Sequence, residues 1–192
     1  YPMGGMHEIV KAMVNIAESQ GVEIKLEHEV KKIVVEGKYA KKVITSQGEF
    51  EADLIVAGSD YEHTDQQLLE KPFRNYDANY WDKRTMSPSS LLFYLGVDKK
   101  VEGIEHHNLF FDEDFELHAE EIYSDPKWPT KPLFYVACTS KTDPSVAPEG
   151  MENIFVLIPI APDLKDSEEM REKYYDMVMD RFEKLSGQNV RD

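Results

Sequence analysis

The stretch Phe50–Asp60 constrains the fold more than any other part of the chain. Within it, Leu54–Ala57 is a run of apolar residues without a charge, typical of a strand covered on both faces in a parallel sheet. Gly58 and Ser59 then allow a sharp turn, and Tyr61–Leu69 has the pattern of a helix. In open α/β sheets, ligands bind where a strand ends in such a turn before a helix. An ordinary core strand is the competing interpretation.

The composition indicates a globular chain with one large domain or two small ones. The chain has 192 residues, of which 41% are hydrophobic, and its formal net charge is −15. This excess of acidic side chains repels phosphate groups, so we expect no nucleic acid partner. No apolar run is long enough to cross a bilayer, and the first residues do not have the pattern of a signal peptide.

The chain has one cysteine, Cys138, which excludes an intramolecular disulfide. Its apolar neighbours Val136 and Ala137 predict a buried, inert thiol rather than a nucleophile. The opening residues Tyr1–Gly5 do not start with methionine and are typical of the middle of a longer sequence. We therefore expect an internal fragment of a larger protein.

The first third of the chain predicts a helix, a strand and a small meander. Apolar residues recur at helical spacing between Met6 and Ala17, and Val22–Glu27 alternates between apolar and charged residues as a strand does. Val30–Val35 and Lys41–Thr45 are two further predicted strands. A turn at residues 46–48 leads into the predicted strand of residues 49–57.

The remainder of the chain predicts an α+β arrangement. The expected strands are Leu91–Val97, Asn108–Phe111, Leu133–Thr139 and Ile154–Ile160. The expected helices are Asp112–Ser124 and Ser167–Leu185, of which the second has apolar side chains along one side.

The sequence contains no motif for independent chemistry. It has no Gly-x-Gly-x-x-Gly, no phosphate-binding loop and no Cys-x-x-Cys pair, and Ser59 lacks the flanking spacing of a nucleophile elbow. His106 and His107 are adjacent, so in a strand they would point to opposite faces and could not share a metal ion. We therefore assign no catalytic residue and no metal ligand.

Aromatic residues are frequent in the predicted strands of the second half. They could line an apolar pocket, although packing in the core is the simpler interpretation. The residues concerned are Phe93, Tyr94, Phe110, Phe111, Phe134, Tyr135 and Phe155.

Several segments together resemble the bacterial phytoene desaturase family of FAD-dependent oxidoreductases, which are relatives of the amine oxidases. These segments are spread over nearly the whole chain. They are Tyr1–Met6, Gly21–Ile24, Val30–Ile33, Gly48, Ala52–Ala57, Ser87–Gly96, Thr142–Gly150 and Val156–Pro159.

The resemblance implies two domains. Residues 1–61 would be the middle segment of a Rossmann-type FAD-binding domain with a β-meander, and residues 62–192 an incomplete substrate-binding domain on a mixed sheet. Val30 would contact the adenosine end of FAD through its backbone. Ala57, Gly58 and Ser59 would lie near the phosphate side of the cofactor. The substrate domain would form an apolar tunnel for a long polyene.

The chain departs from the family in one respect that concerns the cofactor. The Gly-rich fingerprint that binds the pyrophosphate is absent, as is the second Gly-rich segment that contacts the flavin. We therefore expect FAD in the full-length protein. The isolated fragment is expected to bind no flavin tightly and to be inactive, and a yellow purified fragment with stoichiometric flavin would contradict this.

The function that the resemblance implies is the dehydrogenation of carbon–carbon single bonds in a long isoprenoid, with hydride transfer to the flavin. Two alternatives stay open. One is a flavin amine oxidase-like enzyme with a smaller polar substrate, and the other is a non-enzymatic α+β binding module. The protein would be cytoplasmic, with peripheral contact at the inner face of the membrane, and its exposed sheet edges would permit self-association.

Overall fold

The computed structural model describes residues 1–191, which form two compact units. One unit comprises residues 16–85, and the other comprises residues 1–15 together with the residues from 86 onward. The boundary falls within helix α1, His7–Ser19. The predicted division at residue 61 refers to the domains of the complete protein and stays a prediction.

The unit of residues 16–85 is built on the antiparallel meander that the alternating sequence predicts. Its strands pair in the order β1 (Val30–Glu36), β2 (Tyr39–Thr45) and β3 (Gly48–Glu51). Gly37, between β1 and β2, has a φ of 64°, a left-handed conformation that a residue without a Cβ adopts at little cost. Because β3 ends at Glu51, the meander is shorter than the predicted strand of residues 49–57.

Two predicted strands of this unit are not formed. Leu54–Ala57 and Val22–Glu27 pair with no strand within the described residues 1–191. The prediction that Leu54–Ala57 is covered on both faces was wrong, because Leu54 is 79% and Val56 is 84% exposed. A strand forms only where neighbouring strands take up its hydrogen bonds, and an apolar run by itself does not supply those neighbours.

A helical segment follows the Gly-Ser turn, as predicted. Helix α2 (Tyr61–His63) continues as a π-helical turn over Thr64–Leu68. Asp60 caps its first turn, because the Asp60 carboxylate accepts a hydrogen bond from the N–H of His63 at 2.9 Å. Helix α3 follows at Ala78–Trp81.

The second unit contains a four-stranded sheet with the order β4-β7-β6-β5. Every pairing described in it is antiparallel, so the expectation of a mixed sheet is corrected while the predicted combination of helices and sheets is confirmed. Since β5, β6 and β7 are neighbours in both sequence and sheet, each connection returns the chain in the opposite direction. The strands are β4 (Ser89–Val97), β5 (His107–Phe110), β6 (Phe134–Ala137) and β7 (Glu152–Ile160).

One face of this sheet forms the core with helix α5 (Glu168–Ser186). Side chains along β7 alternate, and every second one is buried, as a strand with one covered face requires. The buried apolar side chains of β7 are Ile154, Val156, Ile158 and Ile160. The side chains that α5 buries are Tyr174, Val178, Met179 and Phe182.

Helix α4 (Phe115–Tyr123) is linked to β7 by the buried side chain of His118. The N–H of Leu133 donates to His118 Nδ1 at 3.1 Å, and His118 Nε2 lies 2.9 Å from the carbonyl oxygen of Pro159. Because Nδ1 accepts, the ring proton is on Nε2 and is donated to Pro159. Both ring nitrogens of this histidine are therefore used within the fold.

Helix α1 has the predicted apolar stripe, but the described residues do not cover it. None of its residues is buried. Met13 and Ile16 are each 65% exposed, and Ile9 is 46% exposed. The periodicity of the sequence therefore predicted the helix correctly but not what it packs against.

Candidate cofactor cavity and open sheet face

One cavity in the unit of residues 16–85 is lined by Val30, Ala57, Gly58 and Ser59, the residues predicted to contact a cofactor. Its volume is about 390 Å³, within the range of roughly 300–1,000 Å³ typical of small-molecule sites. We call it the meander cavity. Its lining also includes Glu29, Ile33, Val43, Ile55, Val56, His63 and Leu68.

The meander supplies the apolar floor of this cavity. Val30 begins β1 opposite Thr45, and the pairing register shifts between Val30 and Lys32. Such a bulge bends a strand and changes the direction of its side chains. Ile33, 6% exposed, lies directly opposite Val43, so their side chains share one face. As β1 is an edge strand, its outer backbone groups have no strand partner among residues 1–191.

A second wall of the cavity is the segment Ile55–Gly58. Its backbone groups make no hydrogen bond within the described part of the chain. A Cβ placed on Gly58 would meet no atom within 4 Å, so the cavity is open there. Free N–H and C=O groups beside an apolar floor are the donors and acceptors that the edge of a heterocyclic ring requires.

Ser59 adds a hydroxyl group to this wall. The hydroxyl of Thr64 donates to the carbonyl oxygen of Asp60 at 2.9 Å, and Ser59 Oγ lies 2.8 Å from Thr64 Oγ1. Because the Thr64 proton is already committed, Ser59 is the donor to Thr64. The lone pairs of Ser59 are left to accept a hydrogen bond from a ligand.

The lining fits one part of a dinucleotide cofactor rather than all of it. The apolar floor and free backbone groups suit a planar ring. The residues that line the cavity include no Lys or Arg, and Glu29 is among them, so the charge of a pyrophosphate is not neutralised by this lining. The residues present therefore fit the adenosine end of FAD. The position of Ala57, Gly58 and Ser59 near the phosphates stays a prediction.

Sequence reasoning missed two polar residues of this cavity, Glu29 and His63. His63 lies in the first helical turn after the Gly-Ser turn, so the predicted helix start carried a signal for it. Glu29 precedes β1 directly. The sequence pattern did not indicate the bulge that follows Val30.

The two adjacent histidines lie together, and the prediction that they point to opposite faces was wrong. The ring centroids of His106 and His107 are 4.2 Å apart. The reason is that β5 begins only at His107, so His106 still belongs to the preceding loop. Burial, together with the neighbouring His107, lowers the pKa of His106. No group of three or more metal-ligating side chains was found among the described residues.

Six of the seven aromatic residues named above lie on the two faces of the four-stranded sheet, whereas Phe111 follows the end of β5 and is 61% exposed. Phe134 is buried, and Phe93 and Phe110 pack against the core. On the other face, which we call the open face, Tyr94 lies opposite Phe155 and is 76% exposed. Core packing is therefore the correct interpretation for one face only. The large apolar residues of the open face are Leu92, Tyr94, Leu109, Tyr135, Phe155 and Leu157.

The open face also carries a cavity of about 410 Å³ beside the rings of Tyr94 and Phe155. Gly96 and Ala137 line it as well, and their small size leaves room between the larger rings. Asn153 and Thr139 are its polar lining residues, and they are hydrogen-bonded to each other at 2.7 Å. The cavity therefore offers mainly apolar surface.

Cys138 is buried, as its apolar neighbours predicted. Burial raises the pKa of its thiol, and its Sγ atom lies 3.5 Å from Ser140 Oγ. The thiolate is the reactive form of cysteine, so this side chain is not a nucleophile at neutral pH.

Comparison with known proteins connects these features to one group of enzymes. A protein family described as flavin containing amine oxidoreductase matches residues 1–192. A carotenoid 3,4-desaturase of Haloarcula japonica is 39% identical, with all of this chain and 39% of that protein covered. A phytoene desaturase of Fusarium fujikuroi is 36% identical, with 88% of this chain and 30% of that protein covered.

A solved structure shows the same fold. The crystal structure of an oxidoreductase from Methanosarcina mazei matches with a TM-score of 0.69 at 18% sequence identity. The match covers 98% of this chain and 40% of that one. The chain thus spans well under half the length of the proteins it matches.

Proposed function

This chain belongs to the family of flavin containing amine oxidoreductases, and from that premise we propose that the full-length protein is an FAD-dependent carotenoid desaturase. The observation that carries the proposal is the 39% identity to a carotenoid 3,4-desaturase along the whole chain. The matched region covers the whole chain and so includes both the meander cavity and the open face. The substrate would be a long apolar polyene.

The meander cavity is proposed to hold the adenosine end of FAD. The backbone of Val30 would contact the adenosine end and Ile33 would pack against it, while Ala57, Gly58 and Ser59 would lie toward the phosphate side with their free backbone groups. The pyrophosphate needs further residues to neutralise its charge, because neither Lys nor Arg is among the residues that line this cavity.

The reaction proposed is the conversion of a carbon–carbon single bond of the polyene into a double bond. When bound, FAD would supply the chemistry by accepting the two electrons and two hydrogens that the substrate loses, as a hydride and a proton. The residues of this chain bind and orient the substrate, which gains about 25 cal/mol for each Å² of apolar surface buried. Rings such as Tyr94 and Phe155 would keep water from the bound polyene.

The division of the complete protein at residue 61 is part of the proposal. Residues 1–61 would form the middle segment of the FAD-binding domain, and residues 62–192 an incomplete substrate-binding domain. The positions of the meander cavity and the open face along the sequence support this division. Most of the meander cavity lies before residue 61, whereas the strands of the open face begin at Ser89.

The substrate is proposed to arrive by peripheral contact with the inner face of a membrane. Among residues 1–191 no helix combines the length and the apolar character needed to cross a bilayer. The net charge of −15 does not favour attraction to anionic lipids, so the contact would depend on apolar side chains. The edge strands β1 and β4 would permit self-association through their free edges.

Product analysis with the purified full-length protein tests the proposal. An acyclic carotene in liposomes, supplied with an electron acceptor, is expected to lose pairs of hydrogen atoms and to absorb at longer wavelength as its conjugation grows. Oxidation of an amine with the carotene unchanged would select the amine oxidase-like alternative. A full-length protein that binds no flavin would select the non-enzymatic binding module.

A further inference from the structure

Asp143 is a buried carboxylate that connects two segments far apart in the sequence. Its side chain is 0% exposed. Its Oδ2 atom accepts a hydrogen bond from the backbone N–H of Gly4 at 2.5 Å, and its Oδ1 atom accepts from the N–H and the hydroxyl of Ser145 at 3.0 and 2.6 Å. The hydroxyl of Ser145, together with the two N–H groups, lowers the pKa of Asp143. The side chain is therefore ionised at neutral pH, and its buried charge needs these donors.

The segment of residues 1–5, which we call the glycine turn, has the backbone conformation that brings the N–H of Gly4 to this carboxylate. Gly4 and Gly5 have φ values of 89° and 97°, left-handed conformations that residues with a Cβ rarely adopt. The N–H of Gly5 donates to the carbonyl oxygen of Pro2 at 3.2 Å, which closes the turn. The glycine turn is therefore held by its own backbone bond and by the bond from Gly4 to Asp143.

Two further contacts accompany this hydrogen bond. The ring of Tyr1 lies 4.8 Å from the ring of His106, edge to face at 74°, and His106 Nδ1 lies 2.6 Å from the hydroxyl oxygen of Thr142. The backbone of Gly5 runs beside Val146, because a Cβ placed on Gly5 would lie 3.7 Å from Cγ1 of that residue. The glycine turn is thus docked on the loop of residues 142–150, which we call the Asp143 loop.

The Asp143 loop is also bonded to the wall of the open-face cavity, the cavity beside Tyr94 and Phe155. Asn153 donates from Nδ2 to the carbonyl oxygen of Val146 at 3.1 Å, and its Oδ1 atom accepts from the hydroxyl of Thr139 at 2.7 Å. Asn153 and Thr139 both line that cavity. A continuous set of hydrogen bonds and loop backbone therefore leads from the glycine turn to the surface proposed to bind the polyene.

We propose that Asp143 is a positioning residue, which holds the glycine turn on the Asp143 loop and thereby fixes the FAD-binding domain relative to the bound polyene. The inference rests on the proposed function and on the proposed division at residue 61, which assigns the glycine turn to the FAD-binding domain and the loop to the substrate-binding domain. Reaction requires the two reacting atoms to lie about 3–3.5 Å apart, and a misplacement of about 1 Å costs on the order of a hundredfold in rate. A contact that joins the two domains would therefore act on the rate of flavin reduction rather than on the binding of either partner.

Asp143→Asn in the full-length, FAD-loaded protein tests the inference. Every group bonded to this side chain is a donor, so the NH₂ group of an asparagine would have to face one of them. Anaerobic mixing with an acyclic carotene in liposomes measures the rate of flavin reduction. Fluorescence titrations measure the dissociation constants of the carotene and of FAD. The rate is expected to fall by on the order of tenfold, while both dissociation constants stay within about twofold of the wild-type values.

Ser145→Ala is the matched control, because it removes a hydrogen bond from the same carboxylate and keeps the one from Gly4. Its rate of flavin reduction should stay within about twofold of the wild-type rate. Tyr1→Ala removes the ring contact with His106 and should also slow flavin reduction, so it decides the inference if Asp143→Asn does not fold. Equal rates in Asp143→Asn and Ser145→Ala, or a loss of carotene affinity that accounts for the whole loss of rate, would overturn the inference.

Hydrogen exchange at Gly4 separates a failure of this inference from a failure of the proposed function. The backbone amide of Gly4 is expected to exchange on the order of tenfold faster in Asp143→Asn than in the wild-type protein, and at the wild-type rate in Ser145→Ala. If no polyene reduces the flavin of the wild-type protein, the proposed function fails, and the exchange at Gly4 still decides whether Asp143 joins the two segments. Unchanged exchange at Gly4 in Asp143→Asn overturns the inference.

Discussion

Gly58 lines the meander cavity with backbone atoms alone, and this makes it the residue at which the cofactor proposal is most sharply testable. Its φ is not in the positive region, and a Cβ at this position would meet no atom within 4 Å. A larger side chain can therefore enter the cavity without straining the fold. Val30 contributes in the same way, because its expected contact is made by N–H and C=O groups rather than by its side chain.

Gly58→Val in the full-length protein is expected to weaken FAD binding by on the order of tenfold, because the new side chain occupies the space proposed for the cofactor. Thermal stability of the flavin-free protein should be unchanged. The dissociation constant is measured by titrating that protein with FAD and following the quenching of flavin fluorescence. Ala52→Val, at an exposed residue outside this cavity, is the matched control. Equal affinities in the two variants would remove the meander cavity from the cofactor site.

Tyr174 gives a residue-scale prediction that concerns stability. Its hydroxyl donates to the carbonyl oxygen of Pro129 at 2.5 Å, and burial, with the negative charge of Glu121, raises the pKa of Tyr174 from 10.0 to about 12. The folded state therefore holds this proton more tightly than the unfolded state. The stabilisation is complete below the unfolded pKa and is lost as the pH rises through the window from 10.0 to about 12.

Over that window the wild-type protein is expected to lose on the order of 2–3 kcal/mol of unfolding free energy through this group. Tyr174→Phe has no such proton, so its free energy of unfolding should fall less steeply with pH. Urea denaturation of both proteins between about pH 8 and about pH 11 measures the difference in slope. Parallel pH profiles for the two proteins would show that Tyr174 is not the group responsible.

At the scale of elements, helix α1 shows that a periodic pattern predicts a helix but not the surface against which the helix packs. Its apolar stripe is exposed, although five or more apolar side chains at helical spacing are typical of a helix that packs on a core. The chain covers 39% of the Haloarcula relative. We therefore expect the stripe to be buried in the full-length protein.

Met13→Glu in the full-length protein is expected to lower the free energy of unfolding by about 2–3 kcal/mol, because a charge then replaces an apolar contact. Asn15→Glu changes a residue on the polar side of the same helix and should have an effect within about 0.5 kcal/mol. Thermal or urea denaturation of the two variants provides the comparison. The expectation fails if both variants are as stable as the wild-type protein.

Elements whose burial follows from their own sequence could be predicted, and those that depend on distant partners could not. The meander strands β1 and β2, and helix α5, agree with their predicted positions to within two residues. Leu54–Ala57 was mispredicted because strand formation needs hydrogen-bonding neighbours. The orientation of His106 and His107 was missed because it depends on the first residue of β5, and element boundaries are the least certain part of a sequence-based prediction.

In the candidate site, too, some residues could be predicted from the sequence and others could not. Val30 and Ala57 were proposed from the resemblance to a family alone, whereas the strand-turn-helix pattern had already indicated a ligand-binding turn at Gly58 and Ser59. For the aromatic residues of the open face, the sequence left two interpretations, an apolar pocket or packing in the core. Side chains along β4 and β7 alternate between the two faces, and this alternation decides which interpretation holds for each residue. Assigning the faces requires the register between these two strands, which lie far apart in the sequence.

For the whole molecule, we propose that this chain is part of an enzyme that oxidises a polyene through FAD. The claim combines the family membership, the cavity that fits one end of the cofactor and the open face that suits an apolar substrate.

Anaerobic mixing of the full-length, FAD-loaded protein with a carotene tests this claim most directly. The account predicts that the absorbance of oxidised flavin decreases on addition of the carotene, while the carotene absorbance moves to longer wavelength, and that a primary amine leaves the flavin oxidised. Reduction of the flavin by the amine but not by the carotene would contradict the account.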